Sequence, residues 1–104
     1  MKEIILGIDP GTTRIGYGVI EKDGSSLKNL EYGCLEIEDI RRLQSAREEL
    51  LKLLDKYKPN RVGIEKLFFV KNAKTAMSVS ETRGVIMLTL LEKGVDIREF
   101  TPME

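Results

Sequence analysis

Two carboxylates in this sequence stand where an acid is costly unless something uses it. The run Ile4, Ile5, Leu6, Ile8 is short, apolar and rich in β-branched residues, as in a strand covered on both faces, and it stops at Asp9. Arg61-Val62-Gly63-Ile64-Glu65 repeats the pattern, again ending in an acid. Each acid follows a glycine two residues earlier on the same strand face, Gly7 and Gly63, which leaves room above the carboxylate. If the two strands are neighbours, about 4.8 Å apart, Asp9 and Glu65 converge at their C-terminal ends, where open α/β sheets bind ligands. Two such acids repel unless a cation or a proton lies between them. Histidine is absent, so metal ligation or acid–base work falls to carboxylates, hard donors suited to magnesium or manganese. Simpler roles stay open: Asp9-Pro10-Gly11 is common turn chemistry, and Glu65 can be a solvated strand end facing Lys66.

A third stretch joins them, Lys66-Leu67-Phe68-Phe69-Val70-Lys71-Asn72, an apolar loop that holds two of the three phenylalanines between lysines. Aromatic rings beside cations suit base stacking with phosphate anchoring. A buried apolar staple is the alternative: Phe69 and Val70 read as buried, while Phe68 fits either role.

Positioning these residues requires a small α/β sheet. At 104 residues the chain makes one domain, able to bury roughly 60–65% of its unfolded surface. The 17 basic and 17 acidic residues cancel, so any nucleic-acid contact must be local rather than driven by bulk charge. The single Cys34 forms no internal disulfide, and no apolar run reaches the ~18 residues of a membrane span or resembles a signal peptide. The chain reads as cytosolic, with no membrane partner.

Pro10-Gly11 turns the first strand into a second, Gly16 to Ile20, and Asp23-Gly24-Ser25-Ser26 turns that into a third, Leu27 to Glu36, whose charges suit a sheet edge. From Asp39 the period changes. Ile40, Leu43, Ala46, Leu50, Leu53, Leu54 and Tyr57 form one helical stripe, ended by Lys56, Lys58 and Pro59. A second helix follows the Phe68 loop, capped by Asn72 or Thr75 and stopped by Gly94 after about Lys93. It is apolar on two sides: Ala73, Met77, Ser80, Gly84, Leu88 and Leu91 on one, Val79, Ile86 and Leu90 on the other. One side can cover the sheet; the other needs the first helix, a partner subunit or further chain. Asp96 to Thr101 is a last strand, and the sequence breaks off at Glu104 without a closing turn, as if cut. A meander followed by two strand–helix–strand units gives the order 3-2-1-4-5, with strands one, four and five parallel and the crossovers right-handed.

Gly7-Ile8-Asp9-Pro10-Gly11 with Gly16-Tyr17-Gly18-Val19-Ile20, Ile64 to Asn72, Ser80-Glu81-Thr82-Arg83-Gly84-Val85 and Phe100-Thr101-Pro102 stand in this order. Together they are similar to the RuvC family of Holliday-junction resolvases, over essentially the whole chain. The resemblance implies a single ribonuclease-H-like nuclease domain over 1–104, a homodimer, and magnesium- or manganese-dependent paired nicking of four-way junction DNA in recombination and repair. It also implies work alongside a branch-migration helicase complex. It assigns Asp9 and Glu65 as catalytic metal ligands, and Phe68, Lys71 and Asn72 to the DNA-facing loop. Lys66 stands where the family more often has Gln. Two further acids normally follow in C-terminal helices that this sequence lacks, so the chain alone is expected to be weakly active or inactive. A non-catalytic dimerising or DNA-binding module fits the same pattern. Asp9 to Thr13 also resembles the phosphate-binding turn of the actin and sugar-kinase superfamily, and Thr13 to Gly16 a related ribosomal-RNA-processing nuclease. The first lacks a second phosphate loop here, and the second lacks the Glu65–Asn72 block.

Overall fold

The structure, a computed structural model, describes residues 1–11, 13–37, 41–66 and 73–100. Five strands form one sheet: β1 (Lys2–Pro10), β2 (Arg14–Asp23), β3 (Ser26–Glu36), β4 (Arg61–Glu65) and β5 (Asp96–Phe100). Two helices complete it, α1 (Arg42–Tyr57) and α2 (Ala73–Lys93). The strand order is β3-β2-β1-β4-β5, with β1–β2 and β2–β3 antiparallel and β1–β4 and β4–β5 parallel. This is the strand order expected from a meander followed by two strand–helix–strand units, and the ribonuclease-H-like sheet that the family resemblance implies.

Turn chemistry punctuates the chain as the sequence predicts. Gly24 and Gly94 take positive φ values of 64° and 68°, closing the β2–β3 turn and ending α2. α1 ends differently: Lys58 adopts the left-handed conformation (φ 46°) and its N–H bonds Leu54 O at 2.9 Å, with Pro59 blocking continuation. Thr75 does not cap α2 but lies inside its first turn, and Asn72 lies outside the described residues.

One face of the sheet carries both helices. Leu6, Ile8, Ile15, Val19, Val62 and Ile64 point into that layer and meet Ala46, Leu50 and Leu54 of α1 and Ile86 and Leu90 of α2. The opposite face, with Ile5, Gly7 and Asp9 of β1, is uncovered among the described residues, so the expected two-sided burial of β1 holds on one side only. On α2 the buried stripe is the one with Ile86 and Leu90, at 1% and 0% exposure; Met77, Leu88 and Leu91 are exposed.

Between the helices lies a polar seam that the apolar stripes do not announce. Thr82 and Thr89 are fully buried, each hydroxyl donating to the backbone carbonyl four residues earlier, Ser78 and Val85. Each also accepts from an α1 arginine: Arg42 Nη1 at 3.4 Å and Arg47 Nη1 at 3.2 Å. The arginines then reach Glu81 and Glu92 at the surface, so their charges are met without being buried.

Candidate metal centre

β1 and β4 run in parallel register from Ile5↔Arg61 to Ile8↔Ile64, which sets Asp9 and Glu65 side by side one residue further on. Alternation along the strands turns both side chains to the open face, away from the helices. Asp9 is exposed and Glu65 partly so, and the two carboxyls lie within hydrogen-bonding reach. The Glu65 carboxyl is pushed above its ordinary range, chiefly by partial burial and then by its hydrogen bond to Asp9 and the neighbouring negative charge. Such a pair calls for a proton or a cation between its members. Its oxygen donors fit a hard divalent ion held by one or two carboxylates with water completing the shell. Among the described residues no group of three or more Asp, Glu, Cys or His side chains is gathered to hold a metal ion.

The surroundings of the pair are built by small residues. Gly16 of β2 pairs with Asp9, and a Cβ there would touch the Asp9 Cβ at 3.6 Å. The hairpin joining β1 to β2 needs Gly11 outright, because a Cβ at that position would come within 2.3 Å of the Arg14 carbonyl oxygen. Gly7 leaves room before Asp9, as the sequence suggests: a Cβ there would meet only the Gly18 carbonyl oxygen, at 3.9 Å. Gly63 does not do the same for Glu65: the Phe100 ring lies 3.5 Å from where its Cβ would be and occupies that room. Gly7, Gly16 and Gly18 floor a groove of about 550 Å³, open toward Asp9 and walled by Tyr32, Cys34 and Phe100. Cys34 is exposed there as a free thiol.

The sequence profile of crossover junction endodeoxyribonuclease RuvC matches residues 5–104. The chain belongs to the RuvC family. A crossover junction endodeoxyribonuclease RuvC of Petrotoga mobilis is 46% identical over 97% of this chain and 64% of that protein. The RuvC of Thermosipho melanesiensis is 44% identical over 96% of this chain and 66% of its own length. The chain thus spans about two thirds of the length of these curated relatives. Among solved structures, T. thermophilus RuvC in complex with Holliday junction substrate superposes with a TM-score of 0.88 at 26% identity, covering 97% of this chain and 64% of that one.

Of the residues singled out in sequence, the fold brings Asp9 and Glu65 together. Phe68, Lys71 and Asn72 lie outside the described residues. A further contact was missed: Arg83 of α2 donates Nε to the Glu65 carbonyl oxygen at 3.5 Å and a terminal nitrogen to Glu99. Its signal in sequence was a charge on a helix whose buried face is otherwise apolar or hydroxylated.

Proposed function

We propose that this chain is the N-terminal part of the nuclease domain of a Holliday-junction resolvase that nicks four-way DNA junctions in symmetric pairs during recombination and repair. The observation that carries the reading is the convergence of Asp9 and Glu65 at the C-terminal ends of adjacent parallel strands, in a chain of the RuvC family. The junction-bound T. thermophilus relative supports the choice of substrate.

In this reading Asp9 and Glu65 hold Mg2+ or Mn2+, whose bound form supplies Lewis-acid stabilisation of charge developing on the phosphodiester. The open sheet face gives the DNA strand access to both carboxylates, and the backbone of two adjacent strands fixes their spacing. Partial burial of Glu65 raises the cost of leaving it ionised without a cation, so ion binding and ionisation are coupled. Phe68 stacks on an unpaired base at the junction centre, with Lys71 and Asn72 contacting the neighbouring backbone. The exposed α2 stripe with Met77, Leu88 and Leu91 joins two copies, so that paired sites face two strands. A branch-migration helicase complex supplies the junction, and the chain works in the cytoplasm. No helix among the described residues is long and apolar enough to cross a membrane.

Two-ion hydrolysis needs carboxylates on several sides. The 104-residue chain by itself is therefore proposed to bind divalent ions weakly and to cleave at least about a thousandfold more slowly than a full-length relative, a loss of roughly 4 kcal/mol in the barrier. The test is junction cleavage by a protein extended to the relatives' length. Magnesium-dependent symmetric nicking, abolished by Asp9→Asn or Glu65→Gln with junction binding retained, is the expected result. Nicking that survives both substitutions would remove these acids from the mechanism. Symmetric, Asp9-dependent nicking by the 104-residue chain would show that its site is already complete.

A further inference from the structure

We propose that Arg83 is a positioning residue for the Asp9–Glu65 pair, standing in for a backbone donor that Pro10 cannot supply. The proposal rests on the reading of the pair as a divalent-ion site. Lys66 N–H donates to Phe100 O at 2.7 Å, so residue 66 turns its backbone groups toward β5. Backbone polarity alternates along a parallel strand, so Glu65 turns its N–H and C=O toward β1. With Ile8 opposite Ile64, the donor that would meet the Glu65 carbonyl is the amide of residue 10. That residue is Pro10, which has no N–H. The β1–β4 ladder accordingly ends at Ile8↔Ile64, one pair short of the two acids.

A carbonyl at the partly buried end of a central strand costs free energy if nothing donates to it. Arg83 reaches it from α2, Nε to Glu65 O at 3.5 Å, while a terminal nitrogen binds Glu99 on β5. Its side chain is only 21% exposed, so it is held between α2 and the sheet rather than swinging in solvent. The guanidinium therefore links the backbone of the residue bearing one carboxylate to the neighbouring strand. Pro10 in turn fixes the turn after the other. The missing ladder bond and the arginine are two parts of one arrangement: β1 stays paired with β2 and β4 with β5, but between the two acids the ladder stops and a side chain meets the carbonyl instead.

The experiment is Mn2+ titration of the 104-residue chain, reading free ion by electron paramagnetic resonance, with Asp9→Asn as the control that assigns binding to the pair. Arg83→Met should weaken Mn2+ binding about tenfold, the usual effect of losing a group that orients a ligand. Pro10→Ala restores an N–H at residue 10, and adding it to Arg83→Met should recover most of the affinity. A purely stabilising arginine would lower the melting temperature while leaving Mn2+ affinity unmoved. Unchanged affinity in Arg83→Met, or no recovery with Pro10→Ala, overturns the proposal. If Arg83→Met does not fold, Glu99→Gln, which removes only the arginine's second anchor, should weaken Mn2+ binding in the same direction, and an unchanged affinity there overturns it equally. Failure of the parent chain to bind Mn2+ in an Asp9-dependent way would instead overturn the metal reading itself, and this proposal with it.

Discussion

Tyr17 on β2 donates its hydroxyl to the carboxylate of Glu31 on β3. Tyr57, the last residue of α1, donates to the other oxygen of the same carboxylate, and Lys56 adds a contact at 3.1 Å. Gly33 makes room for the arrangement, since a Cβ there would lie 3.2 Å from the Tyr17 hydroxyl oxygen. One carboxylate thus ties the edge strand to its neighbour and to the end of the first helix.

The pH dependence of stability follows from this cluster. The hydrogen bonds from Tyr17 and then Tyr57 hold the Glu31 carboxyl down at about 2, below the usual 4.5. A depressed acid contributes stability that is present above pH 4.5 and is lost as pH falls toward 2. Tyr17 is pushed up from 10 to about 12 by its bond to Glu31, so its contribution holds below pH 10 and fades toward 12. Tyr17→Phe should lower the melting temperature at neutral pH and move the acid limb of the profile upward. A melting profile identical to that of the parent from pH 2 to 10 would show the cluster to be unimportant for stability.

Glu65 shows the opposite sign. Its raised pKa means that the ionised carboxyl costs stability at neutral pH, and the cost disappears as pH falls through the raised value. Without divalent ions, Glu65→Gln should therefore melt higher than the parent at neutral pH and match it in acid. Adding Mg2+ or Mn2+ should raise the parent's melting point and not the variant's. Calorimetry across this range decides the point, and a variant that melts lower at neutral pH would contradict it.

Gly11→Ala tests the hairpin that carries Asp9. Its Cβ would overlap the Arg14 carbonyl oxygen, a backbone atom that cannot swing aside. A loss of about 1–3 kcal/mol in urea unfolding is expected, the usual range for forced overpacking. A loss below about 0.5 kcal/mol would place this substitution among ordinary surface changes.

On α2 the two stripes separate stability from assembly. Ile86→Ala empties a site that is 1% exposed and should cost about 2–5 kcal/mol. Met77→Glu, at a position 69% exposed, should change stability by less than about 0.5 kcal/mol while shifting sedimentation toward monomer. A parent that sediments as a monomer at tens of micromolar removes the exposed stripe as a dimer interface in this chain.

Phe68→Ala should weaken four-way junction binding by about 1–3 kcal/mol, the range for a lost base-stacking platform, and leave the melting temperature in place. Electrophoretic shifts with four-way and linear DNA measure the first, and thermal melts the second. A large drop in melting temperature would make the ring part of the core.

Much of this protein is legible in its sequence because periodicity records burial. The runs ending at Asp9 and Glu65, the α1 stripe through Ala46, Leu50 and Leu54, and the glycines after β2 and α2 each state a local preference, and the sheet order follows from them. Apolar side chains have one favourable place to go, and short connections leave few ways to arrange them. What sequence withholds is the polar part of the interior. Thr82 and Thr89 stand outside both apolar stripes of the second helix, yet they are buried, their hydroxyls met by Arg42 and Arg47 from the other helix. Only register shows that the Phe100 ring fills the space left by Gly63, or that Pro10 faces the Glu65 carbonyl and leaves it to Arg83. Hydrophobic burial is non-directional and is written along the chain. A hydrogen bond needs its partner at a definite distance and angle, and partners 16 to 42 residues apart, such as Arg83 and Glu99 or Arg47 and Thr89, meet only when the strands and helices have been set against one another.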